Sequence, residues 1–574
     1  MATSATMFVK LAFLLSFLSS ASALWPIPRQ LSTGNITVRL ASSFGIHANF
    51  AGAPSDLNDA ISRTMSIIKT DQLAPLVIDR GASLIPTIQK AKQLTSLTLE
   101  LSSSGGNPKT TVATSVPSIS EEAVKAIGER DESYTLSVPG DGSSATIKAN
   151  TTLGLLRGMT TFTQLLFTVD NMIFTSEAPV EITDSPAFPF RGFMLDTARN
   201  FFPVSDIKRT LDAMSWSKIN QFHWHVTDSQ SFPLQIPGFM ELSQKAAYTA
   251  SSVYTPSDVS DIVSYAAERG IDVLIEIDTP GHTAAISKSH PEHIACNEAT
   301  PWANFANEPP AGQLRLASDA TTNFTASMLA AVAKMFPSTL MSTGGDELNV
   351  NCYTQDNETQ ASLNASGLTL EQALSKFTVT THAAIEKLGK TPVVWEEMVL
   401  EHNVTLANDT IAMVWISSDD VAAVAAKGFR IVHGPSDFFY LDCGGGEWVG
   451  VDIGNSWCDP FKTWQKAYSF DPFANLSEAQ QSLILGGEQL LWTEQSSPSN
   501  LDPIVWPRAA TSAEVFWTGA TLPDGSQRNT PAGSDTALPR LHDLQFRMVA
   551  RGVNAIPLQP QWCAVRPGVC DLTA

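Results

Sequence analysis

Residues 340–347 read Leu340-Met341-Ser342-Thr343-Gly344-Gly345-Asp346-Glu347. A short apolar run ends in two glycines and two consecutive carboxylates. The run suits a strand buried on both faces, and the glycines allow a tight turn just beyond it. The same plan recurs on either side. Apolar runs fill 192–196, 219–228, 271–278, 340–347, 391–397, 410–417, 429–442 and 482–494, separated by amphipathic stretches. Doubly buried strands alternating with helices predict an α/β fold, and eight of them predict a closed (β/α)8 TIM barrel rather than an open doubly wound sheet. The run ends favour the barrel. They carry Asp196, His223-x-His225-x-x-Asp228, Asp278-x-Pro280-Gly281-His282, Asp346-Glu347, Trp395-Glu396-Glu397, Trp415, Tyr440-x-Asp442 and Trp492-x-Glu494. Polar and aromatic groups at strand C-terminal ends are what a catalytic barrel mouth needs.

Upstream the texture differs. Leu94-Thr95-Ser96-Leu97-Thr98-Leu99 and Tyr134-Thr135-Leu136-Ser137-Val138 alternate as half-buried strands, and 153–167 has helical spacing. Pro179, Pro186 and Pro189 mark a joint. The expected division is a signal peptide at 1–23, a smaller non-catalytic α+β domain at 24–178, a linker at 179–190 and the catalytic barrel at 191–574.

The chain of 574 residues has room for a barrel and a second domain, and its 43% hydrophobic and 16% charged residues are an ordinary globular balance. A formal charge of -21 disfavours nucleic acid or an anionic membrane as partner and suits acidic surroundings. Lys10, the apolar run 11–18 and Ala21-Ser22-Ala23 form a secretory signal, and the run is too short for a membrane anchor. Glycosylation acceptors at Asn35, Asn150, Asn323, Asn357, Asn364, Asn403, Asn408 and Asn475 agree with a secreted, extracellular glycoprotein. The six cysteines fall into the local pairs Cys296 with Cys352, Cys443 with Cys458 and Cys563 with Cys570. Proximity only suggests these pairings, but without a Cys-x2-Cys spacing, disulfides are favoured over zinc.

A mouth crowded with Asp346, Glu347, Asp442 and Glu494 is expected to raise at least one carboxyl pKa, as a general acid requires. Trp395, Trp415 and Trp492, with Tyr440, suggest an apolar cage with polar exits, suited to a sugar bearing a small apolar group.

Several motifs in register resemble one family. Arg191-Gly192-Phe193-Met194-Leu195-Asp196-Thr197-Ala198-Arg199, Phe222-His223-Trp224-His225-Val226-Thr227-Asp228-Ser229-Gln230, Asp278-Thr279-Pro280-Gly281-His282, Gly344-Gly345-Asp346-Glu347, Trp395-Glu396-Glu397 and Trp506-Pro507-Arg508 are similar to family 20 glycoside hydrolases, the β-N-acetylhexosaminidases. The resemblance implies a retaining exo-glycosidase. It would remove terminal β-linked N-acetylglucosamine, and N-acetylgalactosamine as well, from chitooligosaccharides or glycans. Glu347 would protonate the leaving oxygen, while Asp346 holds the acetamido N–H so that the substrate's own carbonyl oxygen attacks. Tyr440 would donate to that oxygen, and His282, backed by Asn220, would tune Glu347. Arg191 would hold the 3- and 4-hydroxyls, with Glu494 on the 4-hydroxyl and Asp442 on the 6-hydroxyl. Trp395, Trp415 and Trp492 would wall in the sugar, and Trp457 would either stack on the next sugar outward or pack in the core. Homodimers are common in the family. The run Gln313-Leu314-Arg315-Leu316 departs from the Asn-Pro that often follows the Gln-Leu pair there.

Two rivals are open to test. His223, His225 and Asp228 could serve a metal-dependent hydrolase, though a catalytic zinc needs a third ligand of the right kind. A catalytically dead sugar-binding barrel would lack the acid or its neighbour. No nucleotide, metal or organic cofactor motif stands out, so none is expected.

Overall fold

Each of the eight apolar runs contains a strand. The strands are Phe190–Asp196, Gln221–Thr227, Asp272–Ile277, Leu340–Ser342, Thr391–Trp395, Ile411–Val414, Arg430–His433 and Ile484–Leu491. In this computed structural model, which describes residues 23–102, 115–450 and 453–572, they pair in parallel and close into a barrel, the last strand returning to the first with Glu488 opposite Gly192. Every residue of the first three strands is buried, as expected of strands covered by helices outside and by side chains within.

The fourth strand is short because Gly344 and Gly345 leave extended space, with φ of 67° and 103°. A Cβ at Gly344 would fall onto the Asp278 carboxylate, and one at Gly345 onto Met398. Only glycine allows this close turn, and it delivers Asp346 and Glu347 to the mouth. The seventh run holds a strand only over Arg430–His433. A single helical turn, Ser436–Phe439, follows, and Tyr440 rejoins the barrel by bridging to Leu490.

The N-terminal region forms a six-stranded sheet in the order Gln30–Ala48, Lys92–Leu101, Ala145–Ala149, Tyr134–Val138, Met172–Asp184, Phe167–Val169. Helices Ser55–Thr70 and Thr152–Gln164 share a hydrophobic core with it through Leu57, Ala60, Ile68, Leu155, Met159 and Phe162. The helix expected over 153–167 thus ends at Gln164, and Phe167 opens a strand. The expected linker 179–190 is strand as far as Asp184. Pro179 fits because the register shifts between Thr33 and Ile36 opposite it, so its missing N–H interrupts no regular ladder.

All six cysteines pair as read: Cys296 with Cys352, Cys443 with Cys458, and Cys563 with Cys570. Apart from Ala23, the segment read as a signal peptide lies outside the described residues. Among the described residues no helix is long and apolar enough to cross a membrane.

Candidate active site

The C-terminal ends of the strands surround a cavity of about 460 Å³. It is lined by His282, Asp346, Glu347, Trp395, Trp415, Tyr440, Asp442, Trp457, Trp492 and Glu494, so the sequence-predicted groups converge with two exceptions.

The exceptions are Arg191 and Asn220, and both are corrected by position along the strand. Arg191 is the second residue of the first strand and lies at the opposite end of the barrel. Its guanidinium donates to Glu132 at 2.6 and 2.7 Å and to the carbonyls of Phe188 and Lys218. Asn220 precedes the second strand and binds Glu132, the Arg191 N–H and the Pro189 carbonyl, far from His282 in register. Five residues of strand advance the chain by roughly 16 Å, so neither can reach the mouth. The groups that do sit just past the strand ends. Arg199 follows the first strand and lines the cavity, paired with Asp196 at 3.3 Å, Asp228 at 3.1 Å and Glu308 at 2.6 Å, and lying over the Trp492 ring. Asp228 follows the second strand and meets His282 Nδ1 at 3.1 Å.

His282 links the acids. Its Nε2 lies 3.3 Å from Glu347 and 3.9 Å from Asp346. Both His282 and Glu347 adopt left-handed backbone, with φ of 50° and 54°. Such conformations cost on the order of 1–3 kcal/mol in a non-glycine residue and gather at functional sites. Behind Asp228 an alternation of acids and histidines runs through the barrel core. His225 bridges Asp228 at 2.8 Å and Glu276 at 2.5 Å, and His223 bridges Glu276 at 3.1 Å and Glu488 at 2.9 Å. All four ring nitrogens that suggested a metal centre are thus engaged by carboxylates.

Burial alone would lower the His282 pKa, but the charges of Asp228 and Asp346 and its bonds to Asp228 and Glu347 hold it well above the usual histidine value. Burial likewise pushes Glu347 up, yet His282, Asn307 and Arg199 outweigh it and leave Glu347 below an ordinary glutamate. The raised carboxyls are its neighbours. Burial and the Asp278 charge lift Asp346 well above the usual range, and burial brings Asp278 to about 7. Asp346 Oδ1 and Asp278 Oδ2 are both buried without a partner, which one shared proton would remedy. Burial also raises Asp442 to about 7, lifts Glu494 well up, and with the Asp346 charge takes Glu397 to about 8. The expectation of a raised carboxyl holds for these groups and not for Glu347.

The apolar wall is built from Trp395, packed at 6.2 Å from Trp492, and from Trp415, stacked at 6.2 Å on Tyr440. Glu397 accepts the Trp415 indole N–H at 2.9 Å and so fixes that ring. Trp457 is 66% exposed and edge-on to Trp415 and Tyr440, which removes the core alternative for it. The loop 443–458 that carries Trp457 and Trp448 is closed by a disulfide. Sequence reasoning missed Arg199 as a site residue although it stands in a quoted motif. It also missed Asn307, Glu308 and Trp302, which line the cavity from a loop without periodicity. Gln313, which precedes the atypical Arg315-Leu316, anchors that loop, exchanging hydrogen bonds with the Asn349 backbone at 2.8 and 3.1 Å.

Residues 188–520 match the family described as glycosyl hydrolase family 20, catalytic domain, and residues 24–165 match one described as beta-acetyl hexosaminidase like. The chain is 36% identical over 462 residues to a beta-hexosaminidase of Arthroderma benhamiae, covering 77% of this chain and 74% of that protein. It is 35% identical over 463 residues to the chitooligosaccharidolytic beta-N-acetylglucosaminidase of Bombyx mori, covering 77% and 75%. Among solved structures, a chitobiase of Flavobacterium johnsoniae has a TM-score of 0.71 at 24% identity, covering 93% of this chain and 73% of that one, a likeness of fold.

Proposed function

The chain belongs to glycosyl hydrolase family 20, and from that premise we propose that it removes terminal non-reducing β-linked N-acetylhexosamine from chitooligosaccharides or glycans, with the substrate's acetamido group as nucleophile. The observation that carries this reading is the adjacency of Asp346 and Glu347 beside His282 at the floor of a tryptophan-walled cavity. An ordinary retaining glycosidase sets two carboxyls about 5–5.5 Å apart on opposite sides of the bond, and substrate-assisted families are the exception. Sequence neighbours are poorly placed for that task and well placed to divide another.

In this reading the proton held between His282 and Glu347 goes to the leaving oxygen through Glu347. Asp228 stabilises the charge on His282 throughout. Asp346 shares its proton with Asp278 and uses its other oxygen to hold the acetamido N–H. Tyr440 donates to the acetamido oxygen as it attacks the anomeric carbon and the oxazolinium forms, so configuration is retained after water opens the ring. Fixing the nucleophile within the bound sugar supplies an effective molarity of ~10^5 M or more. Arg199, in the role first expected of Arg191, and Glu494 hold the ring hydroxyls. Asp442 accepts from the 6-hydroxyl, and Trp457 stacks on the next sugar. N-acetylgalactosaminides are substrates too.

We further read the protein as a secreted glycoprotein. The three disulfides support an oxidising compartment, and all eight acceptor asparagines are exposed, as attachment of a glycan demands. Hydrolysis of a chromogenic N-acetylglucosaminide, with competition by a thiazoline analogue of the oxazolinium, tests the function. Strong competitive inhibition is expected, because the site is built for the cyclised species. Turnover without inhibition would rule out substrate assistance.

A further inference from the structure

We propose that His290, Glu292 and His293 form a site for one zinc ion, or a similar imidazole-preferring divalent cation, at the base of the loop 296–312. The single turn Pro291–His293 brings the three side chains to one side, and their candidate ligand atoms all lie within 4.8 Å of one another. His290 Nδ1 is 3.4 Å from Glu292 Oε1, and His293 Nε2 is 3.9 Å from the same oxygen. Tetrahedral zinc with bonds of about 2.0–2.1 Å places neighbouring ligands roughly 3.3 Å apart. Glu292 has to move by well under 1 Å to meet that spacing, while the two ring nitrogens, within 4.8 Å of each other, have to draw together by up to about 1.5 Å.

The second nitrogen of each ring is already committed. His290 Nε2 faces Glu241 at 3.2 Å, and His293 Nδ1 faces Thr321 Oγ1 at 3.0 Å. The Glu241 carboxylate accepts from His290 Nε2–H and leaves Nδ1 with a lone pair toward Glu292, and the Thr321 hydroxyl is able to accept from His293 Nδ1–H in the same way. An outer-shell acceptor on each ligating histidine is the usual support of a zinc site. Phe324 packs against both rings, at 4.8 and 4.4 Å, and is itself braced edge-on by Phe239 at 5.7 Å. The rings are thus held side by side, with centroids 5.9 Å apart, before any ion arrives.

The donor set decides the ion. Two imidazoles and one carboxylate suit zinc, with copper and nickel as competitors, whereas calcium and magnesium prefer oxygen throughout. Two other clusters come close. Asp442 with Cys443 and Cys458 has both sulfurs in a disulfide, and Asp228 with Asp278 and His282 belongs to the active site. The surface site has its own structural consequence. Arg315 binds the Glu292 carbonyl at 2.9 Å, and its N–H binds that of His293, while Ile294–Ala295 pairs with Gln313–Leu314. An ion here pins the root of the loop that presents Asn307 and Glu308 to the cavity.

The test uses the full chain stripped with chelator and titrated with zinc at pH 7 by calorimetry, with the melting temperature followed in parallel. One ion per chain is expected, with a rise in melting temperature, no displacement by calcium and loss of binding as pH falls and the imidazoles protonate. His290→Gln and His293→Gln should each weaken binding more than tenfold, and Glu241→Gln by about tenfold. Their metal-free melting temperatures report whether they fold. Anomalous scattering at the zinc edge should place the ion between the two rings. Binding weaker than millimolar would overturn the proposal, as would zinc that the two histidine variants retain unchanged.

Discussion

Glu347 is held below the ordinary glutamate pKa by His282, so in the proposed mechanism the pair, rather than the carboxyl alone, stores the proton to be donated. Glu347→Gln should therefore lose about 10²–10⁴-fold in kcat/KM on sugars with poor leaving groups and much less on activated aryl glycosides. Equal losses on chitobiose and on a nitrophenyl substrate would remove Glu347 as the acid. Asp442 makes a second point about charge. A sulfate on the substrate's 6-hydroxyl would forfeit a hydrogen bond and meet a carboxylate at ~4 Å, a repulsion of about 4 kcal/mol at an effective dielectric near 20. Burial puts the Asp442 pKa at about 7. Discrimination against 6-sulfated substrates should thus be strongest above pH 7 and fade below it, and Asp442→Asn should narrow it. Comparable kcat/KM for sulfated and neutral substrates at pH 8 would mean that Asp442 does not face the 6-position.

The second and third strands carry the alternating acid and histidine chain that ends on Asp228. His225 is kept protonated: burial disfavours its charge, but the bonds to Asp228 and Glu276 raise its pKa to about 10. Replacing it by glutamine removes a positive charge from beside Asp228, which leaves the full Asp228 charge to hold the His282 proton. The alkaline limb of kcat/KM should then move to higher pH by about one unit, a change of roughly 1.4 kcal/mol. A uniform loss with an unmoved profile would reduce His225 to a packing residue. The same strands show what could be read in advance. Their continuous apolar character marked them as buried, and the polar ends marked the mouth. Glu276, set between Ile275 and Ile277, was a visible anomaly, since a carboxylate inside an apolar strand needs buried partners. Arg191 and Asn220 were misplaced because a motif gives residue types without depth. The rule that barrel sites form at strand C-terminal ends favours Arg199 and Asp228 over them. Asn307 and Glu308 had no such signal, for their loop takes its shape from the Cys296–Cys352 bridge and from Gln313, contacts remote in sequence.

The N-terminal domain closes the barrel's other end. Glu132, buried between Arg157 and Arg191, has its pKa held at about 2 because those charges outweigh its burial. Asp184 accepts from Lys218 and Trp517 across the same boundary and from Tyr134 of its own sheet. These pairs join two cores, and with the mouth residues they set how stability depends on pH. Glu132, Glu276, Asp228 and Glu347 all have lowered folded pKa values. Their contribution is present above the unfolded carboxyl range of about 4–4.5 and is lost as pH falls. His223 and His225 are raised to about 9 and 10, and His282 is raised as well. Their contribution is full below about 6.5 and is lost as pH climbs through the folded values. The raised carboxyls act in the same sense from a lower starting point: Asp278 and Asp442 at about 7, Glu396 and Glu397 at about 8, and Asp346 and Glu494 also raised. His382 and His433, lowered by burial to about 4, and His293 and His542, also lowered by burial, pull the other way between their folded values and about 6.5. The opposing slopes place maximal stability in the mildly acidic range, which agrees with a chain of formal charge -21. Thermal unfolding from pH 3 to pH 9 should give its highest midpoint near pH 5, with a steady fall beyond pH 6.5. A midpoint that holds level or climbs from pH 5 to pH 9 would mean that the buried acids at the mouth are ionised in the folded protein, and the shared proton of Asp346 and Asp278 would have to be given up.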